Sequence, residues 1–450
     1  MSSGRSSVIV GGGVAGLSAA HYLTRAGVAV TLVEKEPTLG GVMQTDSIEG
    51  CTLELGPDSF LAAKPAAFDL IRDLGLDGEI IGSNDHLRKS YILRHGRLTP
   101  LPDGLMMVVP TKVLPLLESP LLSWSTKMRM GLEWFRRPGA TPGDRSVAAF
   151  LRDHYGQEAV DYLGEPLLSG VYGGDPEQLS VASVLPRFAE LEARYGSLTR
   201  GVLAVRGRGT GAGRPLFQSL KGGLAAIANA IVRAAGERLT VMRGAAEALE
   251  PGWRVRVDGD WIAADHVVLA CRAYQSADLL RSVCPELADL LAAIPYTSSM
   301  TLALGYRRGE VKHPLNGFGF LVPKAERGLL LGCTWLGTKF PHRVPDDKAV
   351  LRCFMAGDSL QLSDEDVVVT ARAEIHKIMG VDAEPIFARI ARWPRSMAQY
   401  TVGHAARVKR IEALTSALPG LGLAGSAYHG IGVPDCISTG KRAAERIAQT

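Results

Sequence analysis

At 450 residues the chain is too long for one ordinary core, so two or three domains are expected. Hydrophobic residues make up 46% of it and charged residues 21%, a globular balance that excludes a disordered or fibrous chain. Its 50 basic and 46 acidic residues leave a net charge of +4, which gives no argument for nucleic acid as a partner. The cysteines, Cys51, Cys271, Cys284, Cys333, Cys353 and Cys436, are scattered, with no CxxC pair and no histidine cluster beside them. That spacing argues against a metal site or a disulfide framework and for a reducing, cytoplasmic compartment. The first apolar run begins within the first ten residues, so no signal peptide is expected. No uninterrupted apolar run approaches about 18 residues, so no transmembrane helix is expected either.

Val8-Ile9-Val10 reads as a buried parallel strand and runs into Gly11-x-Gly13-x-x-Gly16, with Val14 and Ala15 opening a helical pattern. A second apolar run, Val28 to Val33, ends at Glu34 and Lys35. Gly11 suits a tight turn, Gly13 lets the backbone approach a pyrophosphate, and Gly16 lets helix and strand pack closely. The helix N-terminus supplies N–H groups for phosphates, and Glu34 sits where a ribose hydroxyl is bound. The pattern predicts an α/β fold with a Rossmann-type dinucleotide site. Downstream, Gly40-Gly41-Val42 is an ordinary turn or a close approach to a bound group. Gly56-Pro57-Asp58-Ser59 is a second turn able to present backbone N–H groups.

Residues 60 to 83 read as an amphipathic helix carrying Phe68, Leu70, Ile71, Leu74 and Leu76. The segment 88 to 102 looks like a hairpin, with Arg88, Lys89, Arg94 and Arg97 either a solvated face or partners for substrate carboxylates. Residues 105 to 137 mix Met, Leu, Val and Trp with cations, a pattern that fits an interfacial helix on an anionic membrane, a helical core, or a dimer surface. The glycine-rich, basic stretch 206 to 214 reads as a flexible loop. From Leu216 the chain returns to the nucleotide domain through a helix at 224 to 235 and short strands reaching Cys271. Residues 297 to 356 are strand-rich, 364 to 380 helical, and a last strand at 421 to 424 precedes a glycine turn and a helix near Pro434.

The order GxGxxG, acid, glycine doublet and GPDSF resembles the FAD-dependent amine oxidase and phytoene desaturase superfamily, and within it the porphyrinogen oxidases of haem synthesis. The likeness recurs at 165 to 176 (EPLLSGVYGGDP), 219 to 224 (SLKGGL), 314 to 323 (PLNGFGFLVP), 340 to 343 (FPHR), 399 to 404 (QYTVGH) and in AGSAYHGIGVPDC at the C-terminal end. The resemblance implies a non-covalent FAD held by Gly11, Gly13, Val14, Ala15, Gly16, Glu34, Lys35, Gly41, Val42, Gly56, Pro57, Asp58, Ser59, Ala245, Trp393, Gly425, Ile431, Gly432 and Val433. It places Gly173 and Gly174 over the substrate's pyrrole nitrogens, and Phe318, Leu321 and Trp335 against the tetrapyrrole, although each of these three could equally be ordinary core. Arg88 and Lys89 become candidates for propionates, because plant members carry an arginine where this chain has Ser90. Three units are implied: an FAD-binding domain (1–83, 217–296, 404–450), a mixed-sheet substrate domain (84–103, 183–216, 297–403) and a helical, membrane-associating insert (104–182).

The implied reaction is six-electron oxidation of protoporphyrinogen IX or coproporphyrinogen III by flavin N5 chemistry, with oxygen as acceptor and hydrogen peroxide as product. No side chain is singled out as catalytic and no metal is expected. The implied partners are the porphyrinogen, molecular oxygen, the inner face of the cell membrane and other haem-pathway enzymes, with a homodimer left open and no nucleic acid. A flavin amine oxidase or carotenoid desaturase is the alternative enzyme, opposed by Thr301 where amine oxidases usually carry a lysine. A non-catalytic FAD-bound membrane protein is the alternative of another class.

Overall fold

The computed structural model describes residues 5–139, 143–206 and 214–448. The expected glycine-rich loop lies, apart from its ends, outside the described residues. Five parallel strands form the first sheet, in the order Leu239–Arg243, Ala29–Glu34, Ser6–Val10, His266–Leu269, Leu421–Leu423. Strand side chains alternate between its two faces, as a pleated strand requires. Ile9, Val30, Leu32 and Val268 pack with Leu17, Leu23, Ile227 and Ile437 of the helices Val14–Arg25, Ala225–Ala235 and Val433–Ala448. Val8, Val10, Val267 and Leu269 face the other way, into the core that also holds Leu249, Val255 and Val257 of an antiparallel three-stranded sheet, Ala246–Glu250, Arg254–Val257 and Asp260–Ala263.

The expected helix over 60 to 83 is shorter and flanked by strands. Pro65, compatible with a first helical turn, opens Pro65–Asp73, and Gly75, at φ +68°, follows its end. Phe60–Leu61 and Ile80–Gly82 instead pair with Phe217–Leu220, which is how the chain re-enters this half of the molecule.

The second sheet has seven strands, in the order Phe387–Ala398, Tyr296–Arg307, Lys348–Ala356, Leu330–Trp335, Gly319–Leu321, Ser90–Arg94, Arg97–Pro100. Only Gly319–Leu321 and Ser90–Arg94 pair in parallel. The hairpin at 90 to 100 turns through His95 and Gly96, both at positive φ, and its proline-containing strand lies at the sheet edge, where a missing N–H costs nothing. The helix Asp364–Met379 covers one face with Val367, Ala371, Ile375 and Met379.

Between the halves of this sheet in sequence lies a helical region from Val113 to Arg206. Its interior is organised by one carboxylate. Glu133 accepts from His154 Nδ1 (2.9 Å), Ser197 Oγ (2.9 Å) and the backbone N–H of Leu198 (2.6 Å), closing the N-terminus of Leu198–Arg206. Burial would raise its pKa, but these donors outweigh burial and hold it below the usual carboxylate value.

The helices Val14–Arg25 and Val433–Ala448 meet at Gly440, where a β-carbon would collide with the carbonyl oxygen of Ala15. Gly440→Val is therefore expected to separate the two helices and to cost about 1–3 kcal/mol. Thermal unfolding should show a lowered Tm; an unchanged Tm would mean that this contact does not set their separation.

Candidate active site

The four backbone turns singled out from the sequence meet at the carboxyl edge of the parallel sheet, the place where open α/β sheets bind ligands. Gly11 has φ +106°, and a β-carbon there would stand 2.9 Å from Ala270. Gly16 lies so close to the Gly11 carbonyl that no side chain fits between them. Gly13 has open space over its α-carbon and precedes the helix that opens with Val14, Ala15 and Gly16. Gly40 donates to the Gly12 carbonyl (2.8 Å), and Gly41, at φ +59°, faces Gly13. Gly56 is pressed against the Val42 carbonyl, leaving the Val42 side chain exposed. On the far side Gly425, at φ +132°, also has open space over it, and its N–H is held by Thr439 Oγ1 (2.9 Å).

Glu34 turns back onto this loop, accepting from the N–H groups of Gly12 (2.7 Å) and Glu36 (2.8 Å). Lys35 points away, 3.6 Å from the Glu36 carboxylate. Ala245 sits beside the end of Ala29–Glu34, its N–H donating to Asp258 Oδ1 (3.2 Å). In the turn before the C-terminal helix, Gly432 donates to Asp435 Oδ2 (3.2 Å), with Ile431 and Val433 on either side. Asp435 also binds Lys64 Nζ (2.6 Å), a pairing the sequence reading missed.

Trp393 is anchored next to the 56–59 turn: its indole N–H donates to the Leu55 carbonyl (2.9 Å), which also accepts from Thr301 Oγ1 (2.8 Å). Gly173 and Gly174 lie against the strands of the seven-stranded sheet. A β-carbon on Gly173 would meet Met397 and Thr297, and one on Gly174 would overlap Gln399. Gln399 Nε2 donates to Tyr172 O (2.8 Å) and Thr297 Oγ1 (2.9 Å), tying the doublet to the sheet.

The three residues expected to form one apolar wall are divided. Leu321 packs on the core of the helical region, and its side chain reaches Gly170. Trp335, 1% exposed, belongs to the core on the opposite side, between Tyr91 and His313. Phe318 is buried, and its carbonyl accepts the Trp335 N–H (2.9 Å). A short apolar run does not disclose which of its residues faces which side. Arg88 pairs loosely with Asp85 (3.5 Å), and Lys89 lies over Tyr91. His404 stacks on Tyr400 at 4.1 Å, and burial lowers its pKa to about 4. His429 pairs with Glu412 (2.6 Å).

Beneath the 56–59 turn is a buried ionic cluster. Arg343, fully buried, donates to Glu54 Oε1 (2.8 Å), Ser219 Oγ (2.6 Å) and the Asp58 carbonyl (3.2 Å). Arg352 donates to the Glu54 carbonyl (3.0 Å) and to the Gly56 carbonyl. Lys339 Nζ reaches Asp58 Oδ2 (2.8 Å), and Ser59 donates to Asp58 Oδ1 (2.6 Å). Burial pushes the Glu54 carboxyl up despite Arg343. For Asp58 burial acts the same way, but Lys339 and Arg352 outweigh it and hold the carboxyl well below the usual value. These partners were missed as a group, yet a signal was present. Glu54 in CTLEL and Arg352 in AVLRCF are charges inside apolar strand patterns, and a buried charge needs a partner.

Residues 14–448 match the model of the flavin containing amine oxidoreductases. The chain belongs to that family. It is 35% identical to the coproporphyrinogen III oxidase of Bacillus subtilis (strain 168), with 97% of this chain and 96% of that protein covered. It is 29% identical to the protoporphyrinogen oxidase of Bos taurus, over 99% of each. A crystal structure from Exiguobacterium sp. 255-15, described as a protoporphyrinogen oxidase, superposes with a TM-score of 0.89 at 32% identity, covering 100% of this chain and 99% of that one. Putrescine oxidase, at 19% identity and a TM-score of 0.74, shares the fold. The residues fit the flavin nucleotide such a family carries. The open space over Gly13 and Gly425, and the N–H groups of two helix N-termini, form a cradle that side chains would fill.

Because the Asp58 carboxyl is held below its unfolded value of about 3.9, the stability it contributes is complete above that value and is lost as pH falls through the acid range. Asp58→Asn is expected to cost about 3–5 kcal/mol at neutral pH by leaving Lys339 and Arg352 without their carboxylate. Thermal unfolding across a pH series should show the gap to wild type narrowing below about pH 4. A gap of constant size down to pH 2 would rule out the charge as its source.

Proposed function

We propose that this flavin oxidoreductase is an FAD- and oxygen-dependent porphyrinogen oxidase of haem biosynthesis. It removes six electrons from the substrate in three turnovers and releases hydrogen peroxide. The observation that carries this is similarity over the full chain to porphyrinogen oxidases, at 35% identity for the Bacillus subtilis relative. Coproporphyrinogen III is the favoured substrate, because the 35% and 33% identical curated relatives are named coproporphyrinogen III oxidases, while the name protoporphyrinogen oxidase comes with the Exiguobacterium structure at 32% and the bovine protein at 29%.

In this reading the parallel sheet is a Rossmann-type domain that holds non-covalent FAD. The helix at Gly13 takes the pyrophosphate, Glu34 a ribose, the Ala245 backbone the adenine, and the 56–59 turn, Trp393 and the 425–433 turn the flavin end. When bound, FAD supplies the two-electron acceptor at each turnover. The protein's work is to hold the macrocycle against the Gly173–Gly174 backbone, which Gln399 and the neighbouring sheet side chains fix in place. Leu321 can contribute an apolar contact there; Trp335, in the opposite core, instead supports the sheet from behind. The boundaries of the three units follow the same division: nucleotide domain, seven-stranded substrate domain and helical insert.

The insert is the reading's membrane-facing part. It has two short helices here, Val113–Glu118 and Trp124–Leu132, and no described helix is long and apolar enough to cross a membrane. Val113, Leu114, Trp124, Met128, Leu132 and Phe135 are each between 62% and 73% exposed, and Trp124, Met128 and Leu132 recur at helical spacing. An apolar stripe of this kind suits the headgroup boundary of a bilayer. The cations are less available than the sequence pattern implies. Lys127 is buried on the Leu117 carbonyl, and Arg129 and Arg136 bind backbone carbonyls at 152 and 153.

Purified protein is expected to be yellow and to turn coproporphyrinogen III into fluorescent porphyrin in air. A yellow protein that leaves both coproporphyrinogen III and protoporphyrinogen IX unoxidised would overturn the assignment. Gly13→Leu should abolish flavin retention on gel filtration, and retention at the wild-type level would remove Gly13 from the pyrophosphate site. Changing Trp124, Met128 and Phe135 together to serine should weaken co-sedimentation with anionic liposomes, each buried apolar side chain contributing about 1.5–3 kcal/mol. Unchanged binding would assign the stripe to another partner.

A further inference from the structure

Two guanidinium groups that have no ion-pair partner among the described residues stand where the nucleotide half meets the substrate sheet. Arg272 follows the parallel strand His266–Leu269 by three residues and lies half-buried at the start of the helix Ala273–Leu280. Its Nη1 donates to Tyr274 Oη (2.9 Å) and to the Pro394 carbonyl (2.8 Å). With both Nη1 hydrogens engaged, its remaining three N–H donors are unassigned among the described residues. Arg395 comes from the other side. Its guanidinium lies 3.9 Å from the centre of the same Tyr274 ring, and its side chain makes no hydrogen bond among the described residues. Neither arginine forms an ion pair among the described residues, whereas Arg25, Arg94, Arg145, Arg327, Arg343 and Arg389 each do.

The arrangement is held in place. Arg395 is one of seven non-glycine residues at positive φ (+43°) among the described residues, in a bulge of Phe387–Ala398, and Ser298 Oγ accepts its N–H (2.9 Å). Tyr274 packs edge-on against Tyr296, whose hydroxyl accepts the Ala273 N–H (2.9 Å). Along the same strand Arg395 stands between Trp393, anchored at the 56–59 turn, and Met397, which abuts Gly173. The clamp is therefore at the rim of the surface to which the macrocycle has been assigned.

We infer that Arg272 and Arg395, bridged by Tyr274, form a carboxylate clamp that binds a propionate of the porphyrinogen. This rests on the porphyrinogen reading above. Two planar forks offering several unassigned N–H donors match carboxylate oxygens in bidentate fashion, and an arriving anion relieves the repulsion between two like charges. The clamp also answers the loss of a cation at Ser90. A substrate with four propionates presents carboxylates around its whole periphery, so it engages such a rim in more orientations than one with two.

The test separates charge recognition from shape. Arg395→Gln and Arg272→Gln are compared with wild type for binding of oxidised coproporphyrin III and of its tetramethyl ester, by fluorescence titration without turnover. KM for both porphyrinogens and flavin content are measured on the same samples. The expected result is an about tenfold weaker affinity of each variant for the tetra-acid, the scale of a lost charge-assisted contact. Ester affinity and flavin content should be unchanged, and the KM for coproporphyrinogen III should rise more than that for protoporphyrinogen IX. Arg272→Gln also removes a bond to Pro394 and so mixes folding with recognition; Arg395→Gln, at an exposed residue whose side chain makes no hydrogen bond among the described residues, decides. If Arg395→Gln enzyme binds the tetra-acid like wild type, or loses acid and ester equally, the clamp is overturned while the oxidase reading stands. Wild-type protein that oxidises neither porphyrinogen overturns the oxidase reading and the clamp with it.

Discussion

The Glu54–Arg343 ion pair is the contact on which the rest of the molecule converges. Glu54 ends one strand of the hairpin Thr45–Glu54, and its carboxylate accepts from Thr45 Oγ1 and from the N–H of Leu224, next to the helix Ala225–Ala235. Arg343 follows the strand Leu330–Trp335 of the other sheet and adds Ser219, Leu220 and the Asp58 carbonyl. One buried pair thus joins the hairpin Thr45–Glu54, the strand Phe217–Leu220, the 56–59 turn and the segment that follows Leu330–Trp335. Such a pair is a weak source of net stability compared with apolar packing, but removing one partner strands a charge in the interior. Its value here is geometric, because it fixes the hairpin and the strand Phe217–Leu220 on either side of the 56–59 turn.

The clarity with which the sequence disclosed each feature follows from the range of the interaction behind it. Gly11, Gly13 and Gly16 do three separate jobs within a single turn, each visible as a local backbone requirement, and the strand before and helix after are local too. The division of Leu321 from Trp335 depends on which side of a strand faces which helix, and apolar residues on both faces leave no period to read. The ion cluster joins residues nearly 300 positions apart, so only its symptom, a charge within an apolar run, was legible. The helix expected over 60 to 83 failed for a nearer reason: the glycines after Asp73 and the pairing of Ile80–Gly82 with Phe217–Leu220 outweigh a favourable apolar period.

The helical region shows how one stretch satisfies two readings at once. Leu116, Leu121, Leu122 and Met130 turn inward and close a core, while Trp124, Met128 and Leu132 turn outward. The alternatives of core and surface were faces of the same short helices. Lys127 marks the boundary, its ammonium folded under Trp124 at 4.6 Å, which leaves the outer stripe more apolar than composition implies.

The order of the parallel sheet also constrains how the protein comes into being. Its middle strand is Ser6–Val10 and its edge strand Leu421–Leu423, and the helix packed across Ala15 is Val433–Ala448. At roughly 5–20 residues per second, synthesis separates the two ends by about 20–80 s. During that interval the first strand, helix and glycine turn exist without the elements that cover them. Topology of this kind folds slowly because its contacts close such long loops. Assembly of the cradle therefore waits for Val433–Ala448, and the nascent chain must keep an apolar sheet edge protected until that helix arrives.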